Sequence, residues 1–264
     1  MLGDFKTNED YMPYFHSLKK NCVTGYTYAS IVGGQTANTE FELLTGNTLG
    51  FLSAGTTAFQ LYIHGQMPSL VSNLKAEGYS GNKAMHPFNP YNYNRPAVYK
   101  DFGFTDFIDK FDFPKNVKRV REYISDEANV DRIISEYEKN RKKTDQPFYM
   151  YNMTIQNHSP YDKDAANFKQ PIKIESSKYD AEANRYLNLI KYSDDSLKQL
   201  TSYFEKCKEP TIILFLGDHQ PRLTDEFMNK ITNGQYQTWS SEQMMKRYQV
   251  PFVIWAIMTL KNSI

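Results

Sequence analysis

Three stretches of the chain carry apolar residues at helical spacing. Pro68–Glu77 places Leu70, Val71 and Leu74 on one face and stops at Gly78. Ser125–Lys142 opens with a capping-type serine followed by Asp126 and Glu127. It then spaces Val130, Ile133, Ile134 and Tyr137 at helical intervals. Lys178–Lys206 continues with Ala183, Tyr186, Leu187, Ile190, Leu197, Leu200 and Phe204. Each predicts an amphipathic helix packed on something larger. Short β-rich apolar runs, Pro147–Ile155, Thr211–Leu216 and Val250–Ala256, predict a sheet. The unbroken run Ile212–Leu216 reads as a strand buried on both faces, as in parallel sheets. The class expected is α/β, with a mostly parallel central sheet and helices on both faces. Ligands of such sheets bind beyond the carboxyl ends of the strands, so chemistry is sought there first.

Composition narrows the picture. A chain of 264 residues with no repeat and no Gly/Ser/Pro-rich linker is expected to form a single domain over 1–264. Thirty-one Lys and Arg against thirty Asp and Glu leave no global drive toward nucleic acid. Cys22 and Cys207 are far apart and lack a C-x-x-C partner, which excludes thiolate metal sites and a disulfide scaffold. The longest apolar runs fall far short of a membrane span, and Met1–Lys20 has no signal-peptide pattern. The chain as given is expected to be soluble.

Candidate chemistry gathers at strand ends. Thr211–Leu216 runs into Gly217-Asp218-His219-Gln220-Pro221, which delivers a carboxylate and an imidazole side by side. Such O plus N ligation suits Zn²⁺ or Mn²⁺; the competing reading is a helix-capping Asp beside an incidental His. Pro147–Ile155 leads similarly to Asn157-His158, where a loop His bonded to backbone is the alternative. Upstream, Gly33-Gly34-Gln35-Thr36 permits close backbone approach and reads as a helix start. Thr36 there is either an N-cap or a nucleophile at a natural anion site, and spacing alone favours the cap. His86 follows the strand-like Tyr79–Met85. Arg95 follows the loop Pro87–Asn94 and offers either a fork for phosphate or a surface ion pair. His16 and His64 lack comparable context and read as structural.

The ordered set resembles the lipoteichoic acid synthase group of phosphoglycerol transferases, in the alkaline phosphatase/sulfatase superfamily. It comprises Gly34–Phe41, Met85-His86, Asn94-Arg95 with Val98-Tyr99-Lys100 and Phe102-Gly103, Asn157-His158, and Gly217-Asp218-His219. The resemblance implies a metal-dependent transferase acting on a phosphodiester of a lipid or cell-envelope polymer. In that reading Thr36 is nucleophile and metal ligand, and Asp218 and His219 are further ligands. Arg95 and His158 bind the phosphate, and His86 lines the site. The metal implied is Mn²⁺ foremost, with Zn²⁺ or Mg²⁺ as alternatives. The implied partner is an anionic glycerophospholipid or glycerol-phosphate polymer, met at the extracellular face of a bacterial membrane by a membrane-tethered full-length protein.

The chain also departs from that pattern. Phe88 stands where the family often has Asp, Tyr93 replaces a Trp, and Gln35 replaces a basic residue. The family's first strand, which ends in a metal-binding carboxylate, has no counterpart before Leu2, and the C-terminal end at Ile264 is short. The expectation is therefore a truncated domain that binds metal poorly. A phosphoesterase on the same scaffold and an inactive envelope-polymer-binding domain are the competing readings. A sulfatase proper is disfavoured, because neither cysteine lies in a C/S-x-P-x-R context.

Overall fold

A computed structural model describes residues 3–234 and 238–258. The expectations placed on Met1-Leu2 and Ile264 lie outside those residues. The chain divides into two units, one of Met1–Gly34 with Asn157–Ile264 and the other of Gln35–Gln156.

The first unit holds α1 (Pro13–Ser17), β1 (Cys22–Tyr28), α7 (Ala181–Phe204), β7 (Ile212–Leu216), α8 (Asp225–Thr232), α9 (Ser241–Met245) and β8 (Gln249–Ala256). The second holds α2 (Thr36–Thr45), α3 (Ala58–Leu61), α4 (Leu70–Ala76), β2 (Ser80–Met85), α5 (Arg95–Phe102), β3 (Asp106–Ile108), β4 (Arg119–Val120), β5 (Tyr123–Ile124), α6 (Asp126–Arg141) and β6 (Phe148–Asn152). The three helices expected from periodicity are α4, α6 and α7. Their starts follow the caps in the sequence: Ser69, Ser125 and Asp180 accept from the backbone N–H three residues on.

In the Gln35–Gln156 unit the sheet order is β3-β2-β6, all parallel. Its core joins Phe41 and Leu44 of α2, Phe59, Val71, Ala84, and Val98, Tyr99 and Phe102 of α5. In the other unit the order is β1-β8-β7, and here the strand expectation needs correction. β7 was expected to lie in a parallel sheet buried on both faces. It pairs with β8 antiparallel, and Ile212 and Leu214 are 61% and 47% exposed. In β8, by contrast, Val253 and Trp255, opposite Phe215 and Ile213, and Ala256, opposite Ile212, are buried. Apolar runs at this spacing cannot distinguish the two sheet types.

Buried Asp and Asn side chains of α7 tie the first unit together. Asp194 of α7 is buried and accepts from the Tyr14 and Phe15 N–H groups at 2.9 and 2.8 Å, and burial raises its pKa. Asn184 and Asn188, also on α7, bond the backbone of Ile174 and Ile172.

Candidate active site

Thr36, His86 and Arg95 belong to the Gln35–Gln156 unit, and His158, Asp218 and His219 to the other.

Thr36 is the first residue of α2 and does not cap it. The N-cap is Gln35, in the left-handed region at φ 61°, with no side-chain cap. Gly33 and Gly34 also have positive φ, so three successive residues bring the chain into the helix through conformations that favour glycine. The turn leaves Thr36 half-buried on the first turn of a ten-residue helix, where backbone N–H groups and the helix dipole favour an anion.

One turn below, Glu40 is fully buried and shares the Thr36 face of α2 at i,i+4 spacing. It takes two bonds from Arg95, Nη2 at 2.5 Å and Nε at 3.2 Å, on its Oε1, and the Tyr99 hydroxyl on its Oε2. Arg95 is only 2% exposed. Its Nη1 reaches the Asn92 carbonyl at 3.4 Å, and its guanidinium carbon lies 5.1 Å from the Tyr93 ring centre. Burial opposes the charge on Arg95, but the Glu40 carboxylate outweighs it and holds the guanidinium above its usual range. Burial and the same carboxylate push the Tyr99 hydroxyl well up. Neither alternative anticipated from the sequence describes Arg95 fully. It is in an ion pair, yet a buried one beneath the helix that carries Thr36.

His86 is 4% exposed and follows β2. Its Nδ1 lies 3.0 Å from the Met153 carbonyl just past β6, so Nδ1 carries the proton and Nε2 the lone pair in the neutral ring. His158 is exposed, with Nδ1 2.6 Å from the Ser159 carbonyl, which is the loop-to-backbone bond anticipated as its alternative.

Asp218 and His219 follow β7 directly. His219 Nδ1 donates to the Gln220 carbonyl at 2.9 Å, and the Gly33 N–H donates to that same carbonyl at 2.9 Å. Gln220 Nε2 in turn reaches the Gln249 carbonyl at the start of β8, at 2.6 Å. The imidazole is thus aimed by a loop fixed on two sides. Gly33 is needed for this approach: a Cβ there would lie 2.7 Å from Arg222 Cβ. His219 Nε2 stands 3.2 Å from Asp218 Oδ2. Two ligand atoms about 2.1 Å from one ion, at roughly tetrahedral angles, are about 3.4 Å apart, close to the separation of this pair, which is also that of a His–Asp hydrogen bond. Among the described residues no group of three or more His, Cys, Asp or Glu could hold a metal.

A sulfatase model matches residues 2–262. The chain belongs to the sulfatase family. Among curated proteins this family member is 34% identical over 263 residues to a putative cyclic β-1,2-glucan modification protein of Rhizobium meliloti, covering 97% of the chain and 39% of that protein. The fold is that of the alkaline phosphatase/sulfatase group. It matches the phosphoglycerol transferase GacH of Streptococcus pyogenes, solved with sn-glycerol-1-phosphate, at TM-score 0.77 and 21% identity over 98% of this chain and 65% of that one. It matches the lipoteichoic acid synthase LtaP of Listeria monocytogenes at TM-score 0.74 and 23% identity, over 96% and 62%. The sulfatase domain described here thus spans less than two thirds of each. No helix among its described residues is long and apolar enough to cross a membrane.

Sequence reasoning missed the partners more than the principals. Glu40 read as part of a helix start, and nothing in the spacing linked it to Arg95. The Thr36–Glu40 and Arg95–Tyr99 i,i+4 pairs were the available signal.

Proposed function

We propose that this sulfatase-family chain is the catalytic part of a metal-dependent phosphoglycerol transferase that uses Thr36 as nucleophile. The observation carrying the proposal is Thr36 as the first residue of a helix, after three positive-φ residues and above a buried Glu40–Arg95–Tyr99 cluster. Asp218, His219 and Thr36 would hold the divalent ion, Mn²⁺ foremost. When bound, the ion would supply positive charge that lowers the pKa of a ligated hydroxyl.

The chain's own residues account for the remainder. The Thr36 hydroxyl gives up its proton to solvent as its oxygen attacks the phosphorus of an anionic glycerophospholipid, the bond to the glycerolipid oxygen breaks, and that oxygen takes up a proton as diacylglycerol leaves. The phosphoglycerol group, now on Thr36, passes to a hydroxyl of an envelope polymer. Backbone N–H groups of the first turn of α2 face the incoming phosphate charge. Glu40 holds Arg95 in place, and Arg95 keeps a buried positive charge one turn below the nucleophile. His158, exposed on its loop, and His86, with its Nε2 lone pair, are assigned to the phosphate and glycerol side. The same proposal places the chain at the extracellular face of a bacterial membrane, within a longer, tethered protein.

The test is incubation with phosphatidylglycerol vesicles and Mn²⁺. Expected are diacylglycerol release and a glycerophosphoryl group on the peptide containing Thr36, both absent in Thr36→Ala. Free glycerol phosphate without transfer to any polyol would establish the hydrolase instead. No adduct and no release, from a folded protein, would leave the polymer-binding reading.

A further inference from the structure

We infer that the turns between α2 and α4 form a docking surface for a lipid bilayer, holding the chain at the interface through uncharged side chains. The inference concerns a surface and not the reaction, and it stands whichever chemistry Thr36 performs.

The sequence supplies the first observation. Residues 43–74 contain no Asp, Glu, Lys or Arg, in a chain of which 23% is charged. A stretch of that length at the chain's average composition would carry about seven.

The structure supplies the second. Two short turns are fixed on one face of α2. Glu42 accepts the Leu49 N–H at 2.9 Å, which anchors the turn Leu49–Phe51. One helical turn earlier, Asn38 donates to the Thr56 carbonyl at 2.7 Å and accepts from the Ala58 N–H at 2.9 Å, which anchors α3. Asn38 and Glu42 are spaced i,i+4, so the two turns are held at neighbouring points of the helix. Their inner residues, Leu49, Leu52, Phe59 and Ile63, pack into the core of the unit. Their outer residues do not. Phe51 is 92% exposed, Leu61 59% and Tyr62 50%. Tyr91, also exposed, borders the turn Asn92–Asn94 that packs on α3.

Single exposed apolar residues are ordinary. Three large ones on turns anchored to one helix face, with no charge among them, are not. A bilayer interface suits them. It takes Phe and Leu beneath the headgroups and holds a Tyr ring with its hydroxyl at headgroup level. Ser53, Gln60 and Gln66, exposed along the same segment, meet headgroups without burying an ion. A polyanion would need cations that the segment lacks. A protein partner is steered and selected by complementary charge, and the segment offers none.

The experiment is flotation of the 264-residue chain with phosphatidylcholine vesicles, in the presence of a chelator, at low and high salt. Phosphatidylcholine carries no phosphoglycerol group and the chelator removes divalent ions, so docking is read without turnover. The chain should float equally at both salt concentrations. Phe51→Ser should lower the partition coefficient about tenfold, and the pair Leu61→Ser and Tyr62→Ser by a similar factor. Thermal melts should not move, because these side chains are exposed. Phe111→Ser, an exposed Phe between Lys110 and Asp112, should leave flotation unchanged. In Phe51→Trp the added indole should be quenched by lipids brominated on their acyl chains. No flotation, flotation that falls with salt, an equal loss in Phe111→Ser, or an unquenched indole would overturn the docking surface. Self-association in place of flotation, abolished by Phe51→Ser, would assign the patch to a second copy of the chain instead. Flotation without transfer from phosphatidylglycerol would count against the transferase reading alone. Transfer from phosphatidylglycerol by a chain that does not float would count against the docking surface alone.

Discussion

Replacing Glu40 by Gln is the most informative single change to the Gln35–Gln156 unit. The side chain keeps its shape and loses its charge. Arg95, at 2% exposure, is then left as a buried cation without a counter-ion. Two of its N–H bonds and the Tyr99 hydroxyl also face an amide that cannot accept on both ends. Breaking a buried pair by removing one partner costs about 3–5 kcal/mol. With a urea m-value of ~2.5 kcal/mol/M, the midpoint should fall by roughly 1–2 M. The assay can be made local. Both tryptophans, Trp239 and Trp255, lie in the other unit, so tryptophan fluorescence reports there, while hydrogen exchange of the α2 and α5 amides reports on the Gln35–Gln156 unit. Protection of the α2 and α5 amides should fall by the full amount. Adding Arg95→Met to Glu40→Gln should recover at least half of the loss, because the orphaned charge is gone. A loss below about 1 kcal/mol in Glu40→Gln, or no recovery in the double variant, would refute the description of the pair as a buried, charge-compensated cluster.

Other expectations are specific to single residues. Glu136 is held down to about 2: burial opposes its charge, and Lys83 and Lys139, with Arg132 nearby, overcome that. Its depressed value means that it contributes stability above its unfolded value of roughly 4.5. Over about pH 4.5 to 2 that contribution is lost, and Glu136→Gln should flatten the pH dependence of the thermal midpoint in this window. Gly33→Ala, strained at φ +73° and pressed on Arg222, should destabilise by about 1–3 kcal/mol and weaken Mn²⁺ binding measured by calorimetry, because the loop that aims His219 shifts. Arg95→Lys, which loses the two-pronged contact with Glu40, should lower the melting temperature as well as the phosphate affinity, and lowering neither would remove Arg95 from the site. Leu214→Lys, at a position 47% exposed on β7, should leave the melt nearly unchanged and reduce self-association in light scattering.

The helices α4, α6 and α7 were legible from apolar periodicity, helped by the Gly78 stop after the first and the Ser125 cap before the second. Thr211–Leu216 was legible as a strand, but neither its antiparallel neighbour nor the exposure of Ile212 and Leu214 was, since an apolar run fixes neither strand direction nor burial on both faces. β1 was not foreseen: Thr24, Gly25 and Thr27 dilute its apolar residues, and its place is set by β8. At the site, Gly33 and Gly34 correctly signalled close backbone approach. Thr36 turned out to follow the cap, because Gln35 takes the left-handed position that Gly or Asn usually fills. The pairing of Glu40 with Arg95 depends on two helices meeting, and no local pattern encodes that.

The antiparallel pairing of β1 with β8 has a consequence for biosynthesis. Cys22 lies opposite Trp255, so β1 is made more than 200 residues before its partner β8. At about 5–20 residues per second, β1 waits on the order of ten to forty-five seconds after emerging, while the segment 35–156 has every residue it needs well before then. The nascent chain therefore carries an unsatisfied edge of Val23, Tyr26 and Tyr28 alongside a partly assembled neighbour. A holding chaperone that protects β1 until β8 is made should raise yield, and slowing translation between β7 and β8 should lower it.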